Sequence, residues 1–174
     1  MKTIDADAHV IENESAWDYL LESERQFKPQ IVEPAGGEAS VDYWLIDGRM
    51  IPRSNVAKEL PKASREMSDL GIRIKHMDEL NVDIQVIYPT FFIFPCTRRP
   101  EIDLALCRSY NRWMADIVKQ EPDRFRWVVV PPLLSMERVF EELKFGKQNG
   151  ACGIYMRGLE GDKRLSDPYF FSLY

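Results

Sequence analysis

Asp5, Asp7 and His9 fall on alternate positions of the stretch TIDADAHVIE, which begins at Thr3. Alternate residues of a β-strand project from the same face, so the spacing predicts two carboxylates and an imidazole on one side of a strand. Burying such groups unpaired would be costly, whereas an Asp-x-His pair can supply oxygen and nitrogen ligands to a divalent metal ion. Asp7 and His9 are therefore candidate metal ligands, with Asp5 as a structural partner behind them.

The same motif also has a purely structural interpretation. The histidine could donate to a backbone carbonyl and the aspartate could cap a loop, without any metal. The predicted first strand runs from about Lys2 to Ala8, which places the pair at its carboxyl end. Functional groups gather at the carboxyl ends of strands in parallel α/β folds, so this position favours the metal interpretation without excluding the other.

Beyond the first strand, the chain alternates between helical and strand patterns. A short helix is predicted from Trp17 to Phe27 with Ser15 as its N-cap, a loop over 33–40, and a β-hairpin over 41–53 around Asp47-Gly48. Three helix–strand pairs and a final turn of helix after Asp167-Pro168 follow. The predicted helices cover 68–81, 101–120 and 135–150, and the predicted strands cover 82–90, 126–132 and 151–158.

This order predicts a parallel sheet flanked by helices, and two folds share that description. One is an open, doubly wound sheet, and the other is a (β/α)8 barrel, of which four βα units make about half, since a whole barrel takes roughly 250 residues. Length favours the open sheet. The phosphate loops typical of that fold, GxGxxG and GxxxxGK[ST], are absent, as is the GxSxG elbow of serine hydrolases.

Composition and charge narrow the class of protein. The 174 residues are 45% hydrophobic and 29% charged, which is typical of a globular domain. A net charge of −5 gives no electrostatic reason to expect a nucleic acid or an anionic membrane as partner. There is no long apolar run and no apolar stretch like that of a signal peptide. Cys96, Cys107 and Cys152 match no zinc or CxxC pattern, so we expect small buried side chains and a cytoplasmic location.

Further polar residues fall near the predicted strand ends. Tyr88 ends the second strand of the sheet, Arg157 ends the fourth, and Glu12 follows the first, so we take these three as candidate substrate-binding residues. Arg157 could bind a substrate carboxylate through two hydrogen bonds, or it could pair with a loop acid such as Glu160 or Asp162.

Two other groups of residues invite a functional interpretation. Phe91, Phe92 and Phe94 could wall an apolar pocket or pack under the helix that follows them. The second histidine, His76, falls in the middle of the predicted helix 68–81, where a surface or packing role is expected.

Four stretches, in this order, carry a resemblance to a known family: IDADAHVIE, HMDELNVDIQVIYP, YNRWMADIVKQEPDRFRWVVVPPL, and GACGIYMRG with the later DPYF. Together they span nearly the whole chain. The sequence resembles the N-terminal half of the amidohydrolase-related family, in the metal-dependent branch that includes aminocarboxymuconate-semialdehyde decarboxylase. The resemblance implies a (β/α)8 TIM barrel, of which residues 1–174 would form one partial domain of about four βα units, with the hairpin inserted after the first strand.

The resemblance also implies a metal site. Asp7 and His9 fall on the family's two metal-ligand positions at the end of the first strand, with aspartate in place of the first histidine. Zinc is the first choice, and manganese and iron are alternatives. The family's other ligands and its catalytic residues come from strands in the second half of the barrel, beyond Tyr174. Because a catalytic zinc normally takes three protein ligands, we expect the site to be incomplete in this chain.

The function implied is a metal-dependent hydrolase that acts through a metal-activated water on a small-molecule substrate. The alternatives are a non-oxidative decarboxylase of an aromatic or unsaturated carboxylic acid, and a non-catalytic half-barrel that needs a partner chain. An uncompleted barrel exposes two sheet edges, so the expected partner is a second copy of the chain or a second-half chain.

Overall fold

A computed structural model of the chain describes residues 1–33, 42–53 and 59–174. The strands, in chain order, are β1 (Ile4–Val10), β2 (Gln30–Val32), β3 (Tyr43–Ile46), β4 (Arg49–Pro52), β5 (Ile84–Pro89), β6 (Phe125–Val129), β7 (Ala151–Ile154), β8 (Leu159–Glu160) and β9 (Lys163–Arg164). The α-helices are α1 (Lys62–Arg65), α2 (Leu70–Glu79), α3 (Pro100–Val118) and α4 (Met136–Gln148). Short 3-10 helices cover Glu14–Trp17, Glu22–Phe27, Phe91–Ile93 and Pro168–Leu173.

A parallel sheet in the order β1-β5-β6-β7 forms the centre of the fold. Each of its strand pairs is parallel, and α2, α3 and α4 supply the connections between successive strands. The prediction of a parallel α/β sheet built from four strands with helical crossovers is confirmed.

The helix ends follow the local sequence closely. The side chain of Asp69 accepts a hydrogen bond from the backbone N–H of Ile72 at 3.2 Å and caps α2. Asn81 follows α2 with a φ of 55°, the left-handed conformation expected there. Ser135 precedes α4 as predicted, although its side chain makes no capping hydrogen bond.

The predicted hairpin is present as β3 and β4. Asp47 and Gly48 connect the strands with φ values of 49° and 71°, and two successive residues of positive φ match the twist of a two-residue hairpin. The prediction is confirmed over 42–53, while Val41 and most of the predicted loop 33–40 lie outside the described residues. Strand β2 pairs with β3 and makes a third strand that the sequence did not predict.

The predicted helix from Trp17 to Phe27 is wrong. Two 3-10 helices lie in this region instead, over Glu14–Trp17 and Glu22–Phe27. The cap of the first is Asn13, not Ser15: its Oδ1 accepts the backbone N–H of Ser15 at 3.0 Å.

Tertiary contacts account for this break in the helix. The ring of Trp17 is 1% exposed and packs against the rings of Trp44 and Phe91, at centroid distances of 5.9 and 4.7 Å. Farther along, the carboxylate of Glu24 pairs with Arg108 of α3. We infer that the ring packing of Trp17 and the ion pair of Glu24 together stabilise the two short 3-10 helices more than the helical propensity of the segment stabilises one continuous helix.

The core lies between the sheet and its helices, and the two outer strands of the sheet are open. Trp127, Phe125 and Tyr110 are fully buried. Neither β1 nor β7 has a second neighbouring strand in the described part of the chain, and Ile4 and Ile154 on these strands are 56% and 41% exposed.

Two further expectations concern the cysteines and the membrane. Cys96 and Cys107 are buried as expected, whereas Cys152 is exposed, because it lies on the open edge strand β7. Among the described residues, no helix has both the length and the apolar character needed to cross a membrane.

Candidate functional site

Asp7 and His9 come together at the end of β1. His9 Nδ1 lies 3.0 Å from the backbone oxygen of Pro89, so Nδ1 carries a proton when it makes this bond, and in the neutral imidazole Nε2 is the nitrogen that has the free lone pair. His9 Nε2 lies 3.7 Å from Oδ1 of Asp7. The Asp7 side chain is 92% exposed and that of His9 is 35% exposed. The two candidate ligands thus face each other at an accessible corner, which we call the metal corner.

The pairing of β1 with β5 places the side chain of Asp5 on a different face of the sheet from that of His9. Asp5 pairs with Gln85 and Ala8 with Ile87, so Ala6 and Asp7 together stand opposite one residue of β5. Because side chains alternate along a strand, Asp5 lies on the same face as Ala8, and His9 lies on the opposite face. The prediction that Asp5, Asp7 and His9 share one face is therefore wrong at Asp5, because of this β-bulge.

Asp5 belongs instead to a polar network that joins β1 to α2. Asp5 Oδ2 accepts a hydrogen bond from Gln85 Nε2 at 3.0 Å, and Gln85 Oε1 accepts one from Arg73 Nε at 2.8 Å. Arg73 also donates to the backbone oxygen of His9 at 3.0 Å. Burial lowers the pKa of Arg73 to about 10, partly opposed by the charge of Asp5. The network fixes the backbone that carries His9.

Glu12 is fully buried behind the metal corner. Its two carboxylate oxygens accept the backbone N–H groups of Thr90 and Phe91, at 3.0 and 2.8 Å. Burial raises the pKa of Glu12 to about 8, although the hydrogen bonds and the charge of Arg53 act in the opposite direction. This geometry favours a structural role that ties the end of β1 to the end of β5, and a role in substrate binding stays a prediction.

Tyr88 follows the metal corner along the sheet. Its ring lies 6.0 Å from that of His9 and 6.4 Å from that of Tyr155, which follows β7. The three rings form a row across the carboxyl ends of the strands, beside the candidate ligands, and a role of Tyr88 in substrate binding stays a prediction.

Arg157 forms an ion pair with a loop acid, which was one of the two roles that its sequence context allowed. Its guanidinium pairs with the carboxylate of Glu160, and Nη1 donates to the backbone oxygen of Phe92 at 2.8 Å. Glu160 is 8% exposed, so the pair is largely shielded from water. A substrate carboxylate would have to compete with Glu160 for this arginine.

A cavity of about 930 Å³ opens beside the metal corner. Its walls come from the β3–β4 hairpin, the segment between β5 and α3, the segment between β6 and α4, and the chain after β7. Arg157 and Tyr155 line it, whereas Asp7, His9 and Tyr88 do not.

The phenylalanine run divides between the two expected roles. Phe91 and Phe92 are 4% and 2% exposed, and the ring of Phe92 packs edge-to-face against Tyr110 of α3, while Phe94 is 61% exposed. Phe92 and Phe94 both line the cavity, so one side of the run packs under α3 and the other walls a pocket.

A third metal ligand is not found in the part of the chain that the structure describes. No group of three or more histidine, cysteine, aspartate or glutamate side chains in the described ranges could hold a metal ion. His76 lies in α2, partly buried, as the sequence predicted. The metal corner therefore contains two candidate ligands, and their role in metal binding stays a prediction.

Comparison with known proteins gives one similar sequence and several similar folds. No family model matches the sequence. A 2-amino-3-carboxymuconate-6-semialdehyde decarboxylase from Dictyostelium discoideum is 28% identical over 107 residues, which are 61% of this chain and 30% of that protein. An amidohydrolase from Mycobacterium avium subsp. paratuberculosis has a similar fold, with a TM-score of 0.64 at 17% identity over 86% of this chain and 47% of that one. The chain is therefore similar in sequence to one such decarboxylase and similar in fold to an amidohydrolase.

A second solved structure gives the same fold. The 5-carboxyvanillate decarboxylase from Sphingomonas paucimobilis matches with a TM-score of 0.58 at 19% identity, over 98% of this chain and 47% of that one. The four parallel strands correspond to half of the (β/α)8 barrel of these structures, as predicted. The chain spans about half the length of these structures and 30% of the length of the curated relative.

Two parts of the site were not predicted from the sequence. Arg73 was missed because a charged residue within an amphipathic helix normally faces water, and here it is 7% exposed. The cavity was missed because its walls come from four separate segments, and Asp103 within it has no distinguishing motif.

Proposed function

We propose that the chain contributes the first two ligands of the metal centre in a metal-dependent hydrolase of the amidohydrolase-related family. The observation that supports this most directly is the orientation of His9. Its Nδ1 donates to the oxygen of Pro89 and its Nε2 faces Asp7 Oδ1 at 3.7 Å. Metal-bound histidines characteristically donate their second ring nitrogen to a carbonyl or carboxylate, which fixes the tautomer.

The donor set fits a divalent cation. A tetrahedral site with bonds of about 2.0–2.2 Å sets neighbouring ligand atoms roughly 3.4 Å apart, close to the observed separation. One imidazole and one carboxylate suit zinc first, with manganese and iron as alternatives. A cation held by Asp7 and His9 would supply Lewis-acid chemistry, polarising the substrate and lowering the pKa of water. Its remaining ligands and the catalytic residues would come from outside the described residues.

The chain's own residues would orient and shield the reacting groups. Arg73 holds the backbone of His9 by a hydrogen bond to its carbonyl oxygen. Glu12 holds the backbone of Thr90 and Phe91, next to the Pro89 carbonyl that accepts a hydrogen bond from His9. Tyr88 stands in the row of rings beside the corner and is proposed to contact the substrate. Arg157 is proposed to release its ion pair with Glu160 and to bind a substrate carboxylate in its place.

Non-oxidative decarboxylation is the second candidate. The curated relative and one of the matching structures are named as decarboxylases, of an aminocarboxymuconate semialdehyde and of a carboxyvanillate. Both names describe unsaturated or aromatic carboxylic acids, so an acid of that class is the proposed substrate under this alternative.

The open edges of the sheet need a partner. β1 and β7 each have one neighbouring strand among the described residues, and they expose Ile4 and Ile154. Exposed edges of this kind pair readily with further strands, so we propose that a second copy of the chain, or a chain forming the second half of a barrel, covers them. The third possibility, a non-catalytic half-barrel, would need the same cover. A cytoplasmic location stays a prediction.

The metal proposal is tested by zinc titration of the dialysed chain, with metal content measured by mass spectrometry. Asp7→Ala and His9→Ala should each weaken zinc binding by about tenfold or more, because loss of a metal ligand, or of a group that orients one, reduces metal affinity by at least that factor. His76→Ala is the matched control, because it removes the other histidine without touching the corner. Unchanged zinc binding in both corner variants would overturn the proposal. Release of carbon dioxide, measured against release of a hydrolysis product, separates the two candidate reactions.

A further inference from the structure

A continuous series of hydrogen bonds connects the backbones of the two candidate metal ligands. It begins at Asp7, whose backbone N–H donates to Oδ1 of Asp5 at 3.2 Å. Oδ2 of Asp5 accepts from Nε2 of Gln85 at 3.0 Å, and Oε1 of Gln85 accepts from Nε of Arg73 at 2.8 Å. The series ends at His9, whose backbone oxygen accepts from Nη2 of Arg73 at 3.0 Å. One network of three side chains therefore holds both ligands.

This network meets β1 at its bulge. Ala6 and Asp7 together stand opposite one residue of β5, and a bulge takes one residue out of the regular ladder of hydrogen bonds. Asp5 supplies an acceptor for the N–H of Asp7 at this point. The bulge sets where Asp7 lies relative to His9, so the network that stabilises the bulge also sets the spacing of the two ligands.

The three side chains differ in the hydrogen bonds that they can make, and each suits its place. The guanidinium of Arg73 can only donate, and the carboxylate of Asp5 can only accept. Gln85 lies between them and has to accept from one and donate to the other, which an amide can do and a carboxylate cannot.

The network has a rigid end at Arg73. This side chain is 7% exposed, and its Nη1 also donates to the backbone oxygen of Ser64 at 3.2 Å. A buried arginine that makes three separate hydrogen bonds has little freedom to move. Gln85 passes this restraint on to Asp5, which is only partly buried.

We propose that Gln85 is a positioning residue of the metal corner: by joining Asp5 to Arg73, it holds Asp7 and His9 at the spacing at which their side chains bind one cation. The inference rests on the proposed metal site and adds to it a residue outside the ligand pair. Loss of a group that orients a metal ligand reduces metal affinity by about 10–100-fold, so the network should have a measurable effect on binding.

The test reverses the donor and acceptor at one bond of the network while keeping the size of each side chain. In Gln85→Glu, the introduced carboxylate still accepts from Arg73 but cannot donate to Asp5. In Asp5→Asn, the introduced amide offers one acceptor oxygen to two donors, the N–H of Asp7 and Nε2 of Gln85. In the double variant Asp5→Asn/Gln85→Glu, the amide donates to the carboxylate and accepts from Asp7, so every bond is restored at the same net charge.

Zinc titration of the whole chain gives the first measurement. Each single variant should weaken zinc binding by about tenfold, and the double variant should return it to the wild-type value. Tyr19→Phe is the control, because it removes a partly buried hydrogen bond of 2.6 Å to Asp116 in another part of the fold, and it should leave zinc binding unchanged.

The imidazole NMR signals of the metal-free chain give a second measurement, with His76→Ala to assign the two rings. The His9 signals should move in both single variants and return to the wild-type positions in the double variant. Both single changes are made on partly exposed side chains, and thermal melts will show that the variants fold. Either single variant, compared with the double variant, is sufficient for the test.

The outcomes separate this inference from the proposed function. Wild-type zinc binding in the single variants, or a loss that the double variant does not restore, would overturn the inference, and the proposed function would stand if Asp7→Ala and His9→Ala still weaken binding. If those two variants bind zinc normally, the proposed function fails and the His9 signals alone decide. Signals that move and return support the positioning of the pair, and any other pattern overturns it.

Discussion

Glu12 Oε2 accepts the backbone N–H of Phe91 at 2.8 Å, and the two residues lie 79 positions apart in the chain. Oε1 of the same carboxylate accepts the N–H of Thr90 at 3.0 Å. The preceding residue, Pro89, supplies the carbonyl that holds the imidazole of His9. One buried side chain therefore fixes the segment on which the orientation of the candidate metal ligand depends.

This burial predicts a pH dependence of stability. The pKa of Glu12 rises from 4.5 to about 8 on folding, so between these values the folded chain keeps a proton that the unfolded chain releases. The contribution of Glu12 to the free energy of unfolding should be greatest below pH 4.5 and should fall as the pH rises to about 8. Glu12→Gln cannot ionise, so urea denaturation should show a smaller loss of stability between pH 5 and pH 8.5 than in the wild type.

Glu14 supplies the control for that experiment. It is exposed and lies two residues from Glu12, so Glu14→Gln should keep the wild-type pH profile. If Glu12→Gln keeps that profile too, Glu12 does not carry the pH dependence.

Removal of Arg157 should destabilise the chain. The side chain of Glu160 is 5% exposed, and Arg157→Gln would leave its charge buried without a partner, at a cost of about 2–3 kcal/mol in the free energy of unfolding. The double variant Arg157→Gln/Glu160→Gln should regain part of that loss. Chemical denaturation gives both values.

An exposed ion pair provides the comparison for Arg157. Arg25 and Glu22 are paired at 3.0 Å with side chains 71% and 80% exposed, so Arg25→Gln should cost less than about 1 kcal/mol. Equal costs for the two arginine variants would show that the burial of Glu160 does not matter.

Asp103 should make the stability of the chain depend on pH. Burial raises its pKa to about 6, opposed by the N–H of Leu134 and the charge of Arg157, and reinforced by Glu160. The thiols of Cys96 and Cys107 also lie close to it. Lowering the pH from 7.5 to 5 should neutralise Asp103 in the folded chain and increase its contribution to the free energy of unfolding, which is lost as the pH rises through about 6. Urea denaturation measures this change.

The variant Asp103→Asn separates this effect from the rest of the protein. Because the amide does not titrate, this variant should gain less stability than the wild type when the pH falls from 7.5 to 5. If Asp103→Asn keeps the full pH response of the wild type, a group other than Asp103 is responsible for that response.

Gly146 should be hard to replace. A Cβ at this position of α4 would lie 2.0 Å from Cγ2 of Val129 in β6, so Gly146→Ala must push the helix from the sheet and should cost about 1–3 kcal/mol, as overpacking does. Gly150→Ala is the comparison. Its site has a φ of 80° with nothing within 4 Å, so it should cost about 1 kcal/mol through backbone strain alone. Thermal melts measure both, and a milder loss for Gly146→Ala would contradict the packing argument.

Local chemistry accounts for what the sequence predicted correctly. Asp47-Gly48 specifies its turn through residues that tolerate positive φ, and Asn81 and Gly150 end their helices in the same way. The parallel sheet follows from the alternation of helical and strand patterns along the chain. Each of these signals lies within a few residues, so it can be read without knowing the fold.

Features that depend on distant parts of the chain were missed. The interruption of the predicted helix Trp17–Phe27 depends on contacts with Trp44 and Arg108, and the buried position of Arg73 depends on Gln85. The pairing of Arg157 with Glu160 was foreseen as an alternative, because these two residues are only three apart in sequence.

The bulge in β1 also governs how this chain should be aligned with its relatives. Ala6 and Asp7 occupy the space of one residue of β5, so the strand counts as six structural positions although it has seven residues. A relative without the bulge would match it only with a one-residue gap ahead of Asp7. Aligned without that gap and anchored on the Asp-x-His pair, Asp5 would be compared with a side chain on the other face of the sheet.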